Sequence, residues 1–136
     1  MKYERNPAQT ASMGQVVILG GGFAGLAAAH RLAGTAVEVC LIDKHNFHTF
    51  QPLLYQVATA GLDPPDAAYP IRTIFRRSAN IRFVHASATR VDVDAREVYL
   101  DDGTTVPYQQ LVVASGATAA FFGVPGVADY ALSLHP

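Results

Sequence analysis

The sequence predicts an α/β fold built on a parallel sheet, and three observations carry that prediction. Val16-Val-Ile-Leu19 is a short, mostly β-branched run that leads straight into Gly20-Gly-Gly-Phe-Ala-Gly25 and then into an alanine-rich helical stretch. A second apolar run over 37–42 ends in Asp43. Further on, from Ala88 to Tyr108, the apolar pattern alternates with a period of two and is broken by the turn signal Asp102-Gly103. The first two make a βαβ unit, and the third is an antiparallel meander used as a crossover. Together they describe a Rossmann-like, three-layer domain.

Taken in order, the first strand is 16–19 and the first helix runs from Phe23 to Ala33, with Gly34 as its stop. Leu26, Ala29 and Ala33 share its sheet-facing side, where small residues let helix and strands sit close. His30 reads as a surface or half-buried helix residue. Cys40, between Val39 and Leu41, reads as a small core residue of the second strand. Residues 44–61 are aromatic and apolar yet lack clean alternation and contain Pro52, so this connection is expected to cover either the core or a flat ligand. Asp63-Pro-Pro-Asp66 is a turn, and Pro70 opens a short helix with Ile71, Ile74 and Phe75 on one side. Strands are expected over 81–85, 88–93, 97–100 and 105–108. A last buried strand, 111–114, runs into Ser115-Gly116, and 118–136 reads as loop.

Composition narrows the classes of function. The chain has 136 residues, half of them apolar and only 15% charged, which suits one ordered domain. A net charge of −1 gives no electrostatic case for nucleic acid, and Arg72, Arg76 and Arg77 read as a solvated helix face. One cysteine rules out an intramolecular disulfide or a multi-cysteine metal site and points to an intracellular protein. His45 and His48 lack the acidic or cysteine partners of a metal centre, so no metal is expected. Residues 1–13 carry no apolar h-region and read, with Gly14, as a flexible tail. No run approaches the roughly 18 apolar residues of a membrane span.

The glycine turn carries the chemistry. Gly20, Gly22 and Gly25 satisfy G-x-G-x-x-G in its required strand-to-helix context. Gly20 allows the tight turn, Gly22 admits a pyrophosphate to the backbone, and Gly25 lets the helix press on the sheet. The helix N-terminus supplies unpaired N–H groups and a positive dipole end. Asp43, eighteen residues after Gly25, can accept the hydroxyls of an adenosine ribose and would repel a 2′-phosphate. Ser115 and Gly116 end a neighbouring strand and so fall beside the turn. No serine–histidine–acid set for nucleophilic catalysis is apparent. The motif therefore indicates dinucleotide binding.

Beyond the glycines, Phe50-Gln-Pro-Leu-Leu-Tyr-Gln-Val-Ala-Thr59 and Pro70-Ile-Arg72 resemble the amino-terminal part of the type II NADH dehydrogenases (NADH:quinone oxidoreductases), within the flavoprotein disulfide-reductase-like superfamily. The resemblance covers about residues 15 to 127. It implies FAD, not NAD, in this first site. Gly20, Gly22, Phe23, Ala24 and Gly25 would hold the pyrophosphate, with Asp43 and Lys44 at the adenosine ribose. Pro52, Leu53 and Leu54 would pass near the flavin ring, and the backbone at Ala86 near the adenine. Ala114, Ser115 and Gly116 would form the second wall, with Ala-Ser-Gly where Ala-Thr-Gly is typical.

The same resemblance implies hydride transfer from NADH to the flavin and electron delivery to a membrane quinone, without proton pumping. It implies a cytoplasmic protein, held at the cytoplasmic face of the inner membrane when full length, and leaves a homodimer open. Family members are longer. They add an NADH domain, a returning FAD segment and a carboxyl-terminal membrane-docking, quinone-binding region. The expectation is accordingly an incomplete FAD domain over 15–127 and a truncated end over 128–136. Alone it would bind FAD weakly or not at all and leave NADH unoxidised. Rival readings are a sulfide:quinone oxidoreductase, whose redox cysteines Cys40 does not supply, an NAD-dependent dehydrogenase domain, and a non-catalytic dinucleotide-binding remnant.

Overall fold

A computed structural model describes residues 14–134. The expected tail over 1–13 and the final two residues lie outside the described residues. Strand β1 (Gln15–Leu19) leads through the glycine turn to helix α1 (Phe23–Leu32) and strand β2 (Glu38–Asp43). Strand β3 (Phe47–Thr49), a 3₁₀ turn (Gln51–Leu53) and helix α2 (Leu54–Ala58) follow. Strand β4 (Ala68–Pro70) runs into helix α3 (Ile71–Ile74) and strand β5 (Ile81–His85). Strands β6 (Ala88–Asp92), β7 (Glu97–Leu100) and β8 (Thr105–Pro107) precede β9 (Gln110–Val113), and helix α4 (Val127–Tyr130) comes last.

The main sheet has the order β5-β2-β1-β9, all parallel, with Val17 opposite Cys40 on one side and Leu111 on the other. Each inner strand is buried on both faces, which is why its sequence is a continuous apolar run. Strand alternation sorts these side chains into two cores. Val16, Ile18, Val39 and Leu41 meet Leu26 and Ala29 of α1 and Ile71 and Phe75 of the α3 region. Val17, Leu19, Cys40 and Ile42 meet Val98, Leu100 and Val106 of the meander β6-β7-β8. Helices, sheet and meander are the three expected layers. Asn80 ties the helical side together: its amide nitrogen donates to the Leu32 and Val37 carbonyls, both at 2.8 Å, and its Oδ1 accepts from Gly34 N at 2.9 Å.

Three expectations need correction. Helix α1 ends at Leu32, because Ala33 is already extended and Gly34 takes a positive φ of 74°. Its buried face is Gly25, Leu26 and Ala29, while Ala33 is only half-buried. Residues 118–134 are not loop throughout, since α4 forms one turn behind Gly126. Finally, β9 is not a buried strand but a half-exposed edge strand, with Val113 exposed. Of the two covers expected of the aromatic connection after Asp43, core or flat ligand, its rings do not provide the first. Phe47, Phe50 and Tyr55 are exposed, and only His48 of this segment is buried. The connection folds as its own antiparallel pair, β3 with β4, in which His48 lies opposite Tyr69.

Within the meander, Asp92 Oδ1 accepts from Ala95 N at 2.9 Å and Asp102 Oδ1 from Thr104 N at 2.8 Å. These backbone donors hold both carboxyls below their ordinary value of 3.8. A carboxyl lowered on folding stabilises the fold above its unfolded pKa, and that contribution fades as pH falls toward the folded value. The contribution of these two carboxyls should be lost as pH falls below about 4, so Asp92→Asn plus Asp102→Asn should flatten that part of the acid-unfolding curve followed by circular dichroism. Ile71, fully buried between α1 and the sheet, gives a second expectation. Ile71→Ala should cost about 2–5 kcal/mol in urea denaturation.

Candidate functional site

The site forms where the sheet changes direction. From β1 the chain crosses toward β2, whereas β9 lies on the opposite side of β1, so a crevice opens between the carboxyl ends of β1 and β9. Backbone hydrogen bonds hold these strand ends: Ala114 N donates to the Leu19 carbonyl, joining the end of β9 to β1, and Gly20 N to the Ile42 carbonyl, joining β1 to β2, each at 2.8 Å. Gly20 has a φ of +104°, and a β-carbon there would overlap the Ala114 carbonyl oxygen. A β-carbon at Gly25 would overlap the Gly20 carbonyl oxygen, so α1 rests directly on the turn. Gly22 differs, because a β-carbon placed on it meets nothing within 4 Å. Two of the three motif glycines are thus needed by the fold. The third faces open space.

A cleft of about 630 Å³ lies over the turn, lined by Gly20, Gly21, Gly22, Phe23 and Ala24 on one side. Val113, Ala114, Ser115, Gly116, Ala117 and Thr118 line the other, with Asp43, Lys44, His45, Phe47, Thr49 and Gln51 closing it. A second cleft of about 470 Å³ adjoins it, between the end of β2 and the meander, and includes Ala86, Ser87, Thr89 and Arg90. Gly20, Asp43, Lys44, Val113 and Ser115 line both, so the two form one elongated groove with Asp43 at its waist. Ala86 reaches the groove because its N–H donates to the Asp43 carbonyl at 3.0 Å, fixing the end of β5 against that of β2. Helix α1 starts at Gly22 with no side-chain cap and no acidic residue in its first turn. Its positive dipole end therefore lies at the groove with no acidic side chain in its own first turn.

The structure brings Gly20, Gly22, Phe23, Ala24, Asp43, Lys44, Ala86, Ala114, Ser115 and Gly116 to this groove. Gly25 lies behind it, on the buried face of α1. Pro52, Leu53 and Leu54 do not line either cleft; the groove takes Gln51 but not the three residues after it. Asp43 has a structural task that its position in the sequence did not reveal. Its Oδ2 accepts from Gly21 N at 2.5 Å and its Oδ1 from His45 N at 2.7 Å. His48 is the residue that sequence reasoning missed. Its Nδ1 lies 3.1 Å from the Gly21 carbonyl, which can only accept, so the ring nitrogen donates. A three-residue strand is too short for periodicity to reveal, and no local signal marks His48 as buried.

The glycines separate fold from ligand. Gly25→Ala should lower stability by about 1–3 kcal/mol or prevent folding, because neither the turn nor the helix can move aside without losing the β1–β9 contact. Gly22→Ala should keep the thermal midpoint within a few degrees while weakening any phosphate-bearing ligand of the groove. Thermal unfolding together with nucleotide titration checks both expectations.

The sequence signature of the pyridine nucleotide-disulphide oxidoreductase family matches residues 14–135. The chain is 41% identical over 128 residues to the type II NADH:quinone oxidoreductase NdhA of Mycobacterium tuberculosis, which covers 92% of this chain and 27% of that protein. With the type II NADH:quinone oxidoreductase of Staphylococcus aureus it shares 31% over 125 residues, 89% of this chain and 31% of the relative. The chain thus spans between about a quarter and a third of the length of the curated relatives it matches. Among solved structures, the sulfide:quinone oxidoreductase of Aquifex aeolicus has a TM-score of 0.80 at 28% identity over 85% of this chain and 27% of its own. NDH2 of Plasmodium falciparum shares the fold, with a TM-score of 0.78 at 23% identity over 87% of this chain and 25% of its own. A signature that runs from the start of β1 to beyond α4, over a glycine turn built as that signature requires, leads to one conclusion: the chain belongs to the pyridine nucleotide-disulphide oxidoreductase family.

Proposed function

We propose that the chain is the FAD-binding portion of a type II NADH:quinone oxidoreductase and that the groove over the glycine turn takes the ADP half of FAD. The observation that carries this reading is the open position at Gly22, directly over an uncapped helix N-terminus. A pyrophosphate fits there because nothing else fills the space and the N–H groups of α1 face it. Asp43 at the waist of the groove would take the ribose. Both of its oxygens already accept backbone N–H groups, yet each keeps a second lone pair for a hydroxyl. Lys44, exposed beside it, offsets the negative charge of the phosphates. Ala86 and the adjoining cleft would receive the adenine, and Ala114, Ser115 and Gly116 the opposite side.

When bound, the flavin supplies the redox chemistry, accepting a hydride from NADH and passing the electrons to a quinone. The residues of this chain bind and orient it. No proton-transfer pair is needed in this portion, in keeping with the absence of a nucleophile–base set from the sequence. FAD is favoured over NAD in this groove by the meander crossover between β5 and β9 and by the Phe50–Thr59 segment shared with the type II enzymes. A sulfide:quinone oxidoreductase shares the fold, and in this chain Cys40 is buried in β2 and does not line the groove. The curated relatives matched at 41% and 31% identity are type II NADH:quinone oxidoreductases, which favours the type II reading.

Titration into the 136-residue chain, followed by quenching of flavin fluorescence, tests the reading. FAD should bind weakly and NAD⁺ should fail to displace it at equal concentration, with no NADH oxidation by the chain alone. Displacement of FAD by NAD⁺, or a chain that takes up neither ADP nor FAD up to millimolar concentration, overturns the assignment. Robust NADH:quinone turnover by these residues alone overturns the expectation that they are insufficient.

A further inference from the structure

The geometry points to His48 as a positioning residue that sets the glycine turn for its ligand, a role that rests on the dinucleotide reading of the groove. His48 is nine-tenths buried in β3, and its Nδ1–H donates to the Gly21 carbonyl at 3.1 Å. The N–H of the same residue, Gly21, is held from another element by Asp43 Oδ2 at 2.5 Å. Gly21 is therefore gripped at both ends of its own residue unit, by a carboxylate from β2 and an imidazole from β3. Neither grip is local in sequence: Asp43 is 22 residues away and His48 27.

The consequence follows from peptide planarity. Among the described residues no peptide bond is cis, so the N–H of Gly22 lies opposite the carbonyl of Gly21 in one rigid plane. Turning that carbonyl inward to the buried imidazole turns the Gly22 N–H away from it, toward the side on which Gly22 lines the groove. Without the donor, the Gly21 carbonyl is a buried acceptor with no barrier to rotation except its neighbours, since glycine flanks it on both sides. The ring of His48 is itself fixed edge-on to Phe23, the first residue of α1, at a centroid distance of 5.0 Å, and Phe23 meets Phe50 in the same manner at 5.4 Å. One side chain thus orients the turn and braces the start of the helix that follows it. That arrangement spends no binding energy of the ligand on ordering the phosphate-facing amide.

Two variants separate the donor from the ring. His48→Phe keeps the aromatic contact with Phe23 and removes the N–H. His48→Asn removes the ring but places an amide N–H near the position of Nδ1. In ¹⁵N-resolved titrations of the 136-residue chain with ADP and with FAD, His48→Phe should weaken binding by about tenfold or more, with His48→Asn recovering most of the loss. The Gly22 amide resonance should shift in His48→Phe and return in His48→Asn, with or without nucleotide. The imidazole nitrogens of the parent chain should show a proton on Nδ1.

Equal nucleotide affinity in His48→Phe and the parent overturns the proposal. So does a His48→Asn variant no better than His48→Phe, or an imidazole whose Nδ1 carries no proton. Should His48→Phe fail to fold, His48→Asn and the protonation state still decide. If the parent binds neither ADP nor FAD, the dinucleotide reading fails and the proposed ligand role falls with it. The Gly22 resonance and the Nδ1 proton then still report separately on whether His48 sets the turn.

Discussion

Backbone-to-backbone contact at the glycine turn is the constraint on which the rest of this molecule depends. At Gly20 the end of β1 abuts the end of β9, and at Gly25 the first turn of α1 abuts Gly20. A single methyl at either place would occupy the position of a carbonyl oxygen. With those two methyls absent, helix, central strand and edge strand converge within one van der Waals layer, and the groove between β1 and β9 inherits its shape from that convergence. Gly22, at the same turn, is free of this duty. The division of labour within one motif explains how the same residues serve packing and leave a place for a ligand.

The two-faced sheet is what makes the turn rigid. Alternate side chains of β1 and β2 anchor in opposite cores, one under the helices and one under the meander, so neither strand can slide without disturbing both. Asp43 ends β2 within this rigid frame, and its carboxylate reaches back to the turn. His48 approaches from a small separate pair of strands. The turn after β1, the end of β2 and β3 therefore meet at Gly21. The burial of His48 among otherwise exposed aromatic neighbours identifies the contact for which the β3–β4 pair is folded inward. The exposed rings beside it, Phe47, Phe50 and Tyr55, leave an apolar surface next to the groove.

Much of the arrangement was readable from residue order. The run Val16–Leu19 has one stable solution, because an unbroken, mostly β-branched stretch that leads into glycine is a buried strand. The meander was equally plain, since Asp102-Gly103 between two alternating segments admits little else. The boundary of α1 and the turn of α4 were misread for a local reason. Ala33 favours helix, but the chain must leave the helix early for Gly34 to reach Asn80, and α4 is a single turn without amphipathic repeat. The connection after Asp43 was open in the sequence between a cover for the core and a cover for a flat ligand, and its exposed rings turn it away from the core. Exposed rings are tolerated when three-residue strands give them no core to enter.

By itself the sequence determined the layer order, the strand ends that face the groove and the glycine motif around which the groove forms. Those follow from spacing and side-chain volume over a few adjacent residues, where local physics dominates. Only the tertiary structure decided that Asp43 spends both oxygens on backbone amides, that Asn80 latches two loops, and that His48 lies under Gly21. Each of these is a hydrogen bond between segments about two to four dozen residues apart, apart from the Asp43–His45 contact. A polar residue's partner at that separation is fixed by how the layers stack, and nothing in its immediate neighbours announces which buried carbonyl or amide it will meet.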